Sequence, residues 1–159
     1  MRVAFRSRVN VPSSSSSSRS PQPYRPSGVE TWVGGVSDVA LRRTARFGTA
    51  WQPHLYGAEP GAIRSTLAKI RELQVDYDRT DVRIPATMFL PIELSDTDDP
   101  DLPPPWECRY LKGTADLLRH TLSTFADVGV EHVLLAFGGD TQRKLSTMDR
   151  VRDEVLGEV

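Results

Sequence analysis

Two adjacent glycines with a serine close behind, Gly34-Gly35-Val36-Ser37, are the residues whose types and spacing could do chemistry in this chain. They follow the β-branched and aromatic run Thr31-Trp32-Val33 and precede a helical pattern from Asp38 to Gly48. The first N–H groups of a helix have no partner within it, and the helix dipole adds partial positive charge there. Glycines let the backbone come close to a bound anion. The amides of Gly35, Val36 and Ser37, with the Ser37 hydroxyl, could therefore cradle a phosphate. The same residues also suit a plain tight turn in which Ser37 only caps the helix. Two commoner nucleotide patterns are absent: no Gly-Lys-Ser/Thr follows, and the third glycine of a dinucleotide fingerprint is missing.

Other candidates are weaker. His54, His120 and His132 show no metal-ligand spacing with one another or with Cys108. Asp96, Asp98, Asp99 and Asp101 invite a calcium reading, but the EF-hand pattern needs a glycine where Asp101 stands, and Pro100 occupies a ligand position. A solvated acidic loop over residues 93–105 is the better reading. No serine lies in a nucleophile-elbow sequence.

The elements that must position the glycine turn are legible. Ala40, Leu41, Thr44 and Ala45 share one helical face, and Gly48 ends the helix. Thr49-Ala50-Trp51-Gln52 reads as a short strand ending at Pro53. Pro60 opens a helix with Ile63, Leu67, Ile70 and Leu73 at helical spacing. Val82, Ile84, Ala86, Met88 and Leu90 keep period two and predict a strand over Val82–Leu90, although Pro85 works against it. A helix bearing Ala115, Leu118, Leu122 and Phe125 runs to Gly129, then come a strand at His132–Phe137, the turn Gly138-Gly139-Asp140, and a helix with Leu145, Met148, Val151 and Val155. Four βα units in succession predict an α/β fold with a parallel sheet, whose ligands gather at the C-terminal strand ends.

Composition narrows the function further. The formal charge of the 159 residues is −1, yet no acidic residue precedes Glu30, and five arginines give the first 29 residues +5. The remaining body is thus acidic, at −6, which argues against nucleic-acid binding. No apolar run approaches the ~18 residues of a membrane span. One cysteine precludes an intrachain disulfide and fits a reducing, cytoplasmic setting. Residues 1–20, with six consecutive serines, read as a disordered Ser/Arg-rich leader. Residues 21–159 form the folded part, approached through a proline-stiffened Pro21–Pro26.

Gln22-Pro23-Tyr24-Arg25-Pro26, Trp32-Val33-Gly34-Gly35 with Ser37, Ala40-Leu41-Arg42-Arg43 with Ala45-Arg46-Phe47-Gly48, and Trp51-Gln52-Pro53 resemble the luciferase-like flavin monooxygenases. The match is nearest to the branch using the deazaflavin coenzyme F420. Where that family carries Gly-Asp-Gly-Trp-His-Pro, this chain has Gly48-Thr49-Ala50-Trp51-Gln52-Pro53. The resemblance implies a partial TIM (β/α)8 barrel of about four βα units, corresponding to the second half of the barrel. It implies Gly34, Gly35, Val36 and Ser37 as phosphate ligands and Trp51 beside the coenzyme ring, Trp51 being equally suited to a core position. The implied coenzyme is F420, with FMN as the alternative, and the implied reaction is hydride transfer to, or oxygenation of, a small organic substrate. No acid–base residue is nominated. A whole barrel needs about 250 residues, so the expectation is a truncated C-terminal half-barrel. Its alternative is a non-catalytic fragment that binds phosphate weakly, or that associates with itself or with a complementary half-barrel.

Overall fold

The computed structural model describes residues 29–53 and 58–157. The leader, the Pro21–Pro26 approach and His54 lie outside the described residues. Strands and helices alternate: β1 Trp32–Gly34, α1 Asp38–Phe47, β2 Ala50–Gln52, α2 Pro60–Val75, β3 Ala86–Leu94, α3 Pro105–Cys108, β4 Leu111–Gly113, α4 Ala115–Ala126, β5 Val130–Phe137 and α5 Thr141–Arg150, which continues into a π-helical turn over Val151–Leu156. All pairings are parallel.

Local chemistry sets the helix ends. Ser37 caps α1, its side-chain oxygen accepting from the Ala40 N–H at 3.3 Å. Gly48 closes it by donating its N–H to the Thr44 carbonyl at 2.8 Å; a Cβ there would meet that same oxygen at 2.8 Å, so only glycine fits. Glu59 caps α2, its two carboxylate oxygens accepting from Gly61 and Ala62, each at 2.9 Å.

The sheet has five strands where four were expected, because the stretch between the acidic loop and α4 forms β4 at Leu111–Gly113. Glu93 and Leu94 belong to β3 rather than to the loop. That strand also starts later than its sequence pattern predicts, at Ala86 instead of Val82. Pro85 is the reason, since it lacks a ladder donor and stays outside. Pro91, by contrast, lies inside β3. Ala86 donates its N–H to Gly129 on the β5 side, and Ser95 donates to Gly113 on the β4 side. Alternation therefore turns odd-numbered amides toward the edge shared by β2 and β4. Pro91 falls between the β2 contact at Ala86 and the β4 contact beginning at Ile92, where no donor is needed.

One face of the sheet is covered. Met88, Leu90 and Ile92 of β3 pack in one buried cluster with Leu41 of α1, Ile70 of α2 and Leu118 of α4. Full burial of such side chains contributes roughly 1.5–3 kcal/mol each, so this layer dominates the stability of the fold. The other face carries Trp32, Gln52, Phe89 and Leu134, none of them buried. The sheet curls around that face. β1 and β5 are separated by β2 and β3, which in a flat sheet means about 14 Å, yet the rings of Trp32 and His132 lie 5.6 Å apart. In register with those two rings, the intervening strands place the small residues Ala50 and Thr87, both buried.

Candidate functional site

The C-terminal strand ends bring the glycine turn, Gln52 and the Gly138-Gly139-Asp140 turn to one rim of the sheet. The β1–β2 register sets Gly34 beside Gln52, and the next amide, that of Gly35, donates to the Gln52 carbonyl at 3.0 Å. Gly35 adopts a φ of +109°, and a Cβ there would meet the Ala40 Cβ at 3.2 Å, so glycine is required on both counts.

Of the three amides expected to face a phosphate, that of Gly35 is therefore engaged within the sheet. The amides of Val36 and Ser37 have no partner among the described residues, and the Ser37 hydroxyl keeps its proton to donate while its oxygen caps α1. Gly34 is exposed, and a Cβ there would meet nothing nearer than 4.0 Å, leaving room above the turn. Two amides and a hydroxyl at a helix N-terminus fit a phosphate oxygen set.

Trp51 stands in the core position that the sequence equally allowed. It pairs with Val33, both side chains point into the helix-covered layer, and it is 1% exposed. Its indole N–H donates to the Gly35 carbonyl at 2.8 Å. Trp51 thus braces the turn from behind and reaches the rim only through that bond. The residues that line the open face instead are Gln52, Phe89 and Leu134, with Phe89 and Leu134 in register. Period two along β3 already separated Phe89 from the buried positions, and that signal could have nominated it. Glu93, higher on the same face, is held by the Arg143 guanidinium at 2.6 Å.

Asp38 sets the local electrostatics. It occupies the first turn of α1, and the Lys69 ammonium, 2.6 Å away, holds its carboxyl below the usual carboxylate range by hydrogen bonding and charge. Its negative charge competes with any anion for the same helix end. Asp38→Asn should therefore tighten phosphate binding roughly twofold to fivefold at low salt, as the dipole-scale energies imply. Isothermal titration with inorganic pyrophosphate would read this, and the gain should shrink in high salt.

A cleft of about 400 Å³ lies elsewhere, between Pro103–Trp106 and the Leu117, His120 and Thr124 side of α4. It is on the helix-covered side of the sheet, away from the glycine turn. The Cys108 thiol is bonded to the carbonyls of Pro103 and Tyr110 and helps to hold that loop. Asp98 and Asp99, two of the carboxylates in the calcium reading, accept from the backbone amides of Thr114 and Asp101. No described helix is long and apolar enough to cross a membrane.

No family model and no curated protein sequence matches the chain. Solved structures do. An F420-dependent secondary alcohol dehydrogenase in complex with an F420-acetone adduct aligns over 80% of this chain and 49% of its own, with 14% identity and a TM-score of 0.58. The coenzyme F420 dependent tetrahydromethanopterin reductase from Methanopyrus kandleri aligns over 80% of this chain and 50% of its own, with 12% identity and a TM-score of 0.60. The long-chain alkane monooxygenase LadA aligns over 74% and 38%, with 9% identity and a TM-score of 0.53. The chain spans about half the length of the two F420-dependent enzymes. At such identities the likeness is one of fold: the chain forms a five-stranded parallel α/β sheet with alternating helices, like about half of the TIM barrel of these enzymes.

Proposed function

We propose that the chain supplies the coenzyme-binding half of a luciferase-like oxidoreductase, in a cytoplasmic setting that its single cysteine fits. The coenzyme is F420, with FMN as the alternative, and the second ligand is a small organic substrate. One observation carries this reading: the Gly34–Ser37 turn presents a hydroxyl and two amides without a partner among the described residues at a strand end, in a fold shared with two F420-dependent enzymes. The bound coenzyme supplies hydride transfer, or oxygenation in the FMN case. The chain supplies position. The amides of Val36 and Ser37 and the Ser37 hydroxyl hold the phosphate, Gly34 and Gly35 admit it, and Phe89 and Leu134 offer an apolar wall to a ring. Trp51 keeps the turn in register without touching either ligand.

A second reading has its own observation. The amide of Gly35 is spent on Gln52, and on the face that would wall the ring Trp32 and Leu134 stay exposed among the described residues. A chain in that state binds phosphate weakly and catalyses nothing. Fluorescence titration with reduced F420 and with FMN separates the two. The first reading expects saturable, micromolar binding, weakened at least about tenfold by Gly35→Val, because a β-branched residue at that φ distorts the turn. Millimolar binding of both coenzymes, unaffected by the substitution, would establish the second.

A further inference from the structure

We infer that the open face is closed by a second copy of this chain, related by a twofold axis along the strands, so that two half-barrels form one eight-stranded parallel barrel. The inference rests on the barrel fold and does not require that a coenzyme bind.

The two ends of the sheet are unfinished in the same way. The outer edges of β1 and β5 pair with no strand among the described residues. Among the described residues, five of the eleven exposed large apolar side chains gather at these ends: Trp32 and Phe47 at the β1 end, and Leu134, Leu145 and Met148 at the β5 end. Helix geometry places Phe47. Asp38 and Arg42 of α1 reach Lys69 and Asp76 of α2, and Phe47, roughly half a turn round the helix from them, lies on the opposite flank, away from α2. α5 has no buried residue of its own; Arg143 and Arg150 tie it inward to Glu93 and Asp96, which leaves Leu145 and Met148 facing out.

A twofold axis along the strands keeps every strand parallel. It brings β5 of each copy beside β1 of the other, and α5 of each copy beside α1 of the other. β1, β2, β3 and β5 from two copies then number eight, the count of a closed barrel, with β4 left as an addition at the upper edge of β3. Closure also removes the exposed strand edges, which otherwise invite indiscriminate pairing. The five side chains, at roughly 80–100 Å² of accessible surface each, supply about 450 Å² per copy and about 900 Å² for the pair. Strand edges and the remaining open face carry the total past the ~1,200 Å² of a stable interface.

Sedimentation equilibrium of the full 159-residue chain tests this. The expected mass is twice 17.7 kDa at micromolar concentration. Phe47→Asp and Leu145→Lys, each with unchanged far-UV circular dichroism, should each weaken the dimer at least about tenfold, while Val75→Asp, a comparably exposed position on α2, should not. Mixing the Phe47→Asp chain with the Leu145→Lys chain should restore the dimer, because one seam then joins opposite charges and the other is unaltered. A monomeric unaltered chain overturns the inference. So does a dimer that survives both substitutions, or a mixture that fails to recover. Coenzyme titration on the same samples reads the functional proposal separately, since a dimer that binds no coenzyme would leave this inference standing.

Discussion

Trp51→Ala should lower folding stability by about 3–5 kcal/mol, the range for emptying a large aromatic site in a packed core. Chemical denaturation would show it as a large drop in the midpoint with little change in slope. The side chain is 1% exposed and packs in the cluster shared by α1, α2 and β3, so neighbouring helices cannot collapse into the space without moving the sheet. Trp51→Phe is the more informative variant. It keeps most of the packing but removes the indole N–H that donates to the Gly35 carbonyl, leaving that oxygen without its buried partner. The expected loss is about 1–2 kcal/mol. If Trp51 instead stacked on a coenzyme ring, Trp51→Phe would leave stability unchanged and weaken only coenzyme binding. The geometry predicts the reverse order: stability falls first, and any loss of phosphate affinity follows from a looser turn.

Gln74→Leu should cost about 1–3 kcal/mol, a larger effect than a surface view of α2 would suggest. Gln74 is 2% exposed, and its amide nitrogen donates to the carbonyls of Arg79 and Val82 at 2.7 and 2.8 Å. A leucine of similar volume keeps the packing but strands the Val82 carbonyl, while the Arg79 carbonyl keeps the Val82 N–H at 3.1 Å. The loop so fixed carries Arg79, whose guanidinium donates to the carbonyls of Ala45 and Gly48 at 2.8 and 2.9 Å. These are orphan acceptors at the end of α1, and charge-assisted bonds to them are strong. Arg79→Met should cost about 2–3 kcal/mol on that account. Because Gln74 holds the loop from which Arg79 reaches out, the two losses should fall short of additive in a double-mutant cycle measured by urea denaturation.

Much of the fold was legible in the sequence. Period two marked β3, helical spacing marked α1, α2 and α4, and Ser37, Gly48 and Pro60 stood where caps and starts were expected. The boundaries of β3 were less accessible. A proline inside a strand is tolerated or excluded according to what lies beside it, and Pro85 and Pro91 differ only in that respect. β4 was hidden for a related reason: three residues have no periodicity to read, and Leu111–Gly113 becomes a strand because Ile92–Leu94 offers it an edge. Arg79 and Gln74 left no local signal, since their partners are carbonyl groups that every residue has.

At the candidate site the same division holds. The chain of residue types alone determined where the turn lies, which helix it opens, and that glycine is needed at its centre, because capping, backbone freedom and side-chain alternation act over a few residues. Tertiary structure decided which amides remain available among the described residues, which way Trp51 points, and that Trp32 and Leu134 stay exposed there on the face between β1 and β5. Those outcomes follow from strand register and sheet curl. A register of Gly34 on Gln52 engages the Gly35 amide and turns Trp51 inward with Val33; a shift of one residue would reverse both, and only contacts between elements far apart in the chain select between them.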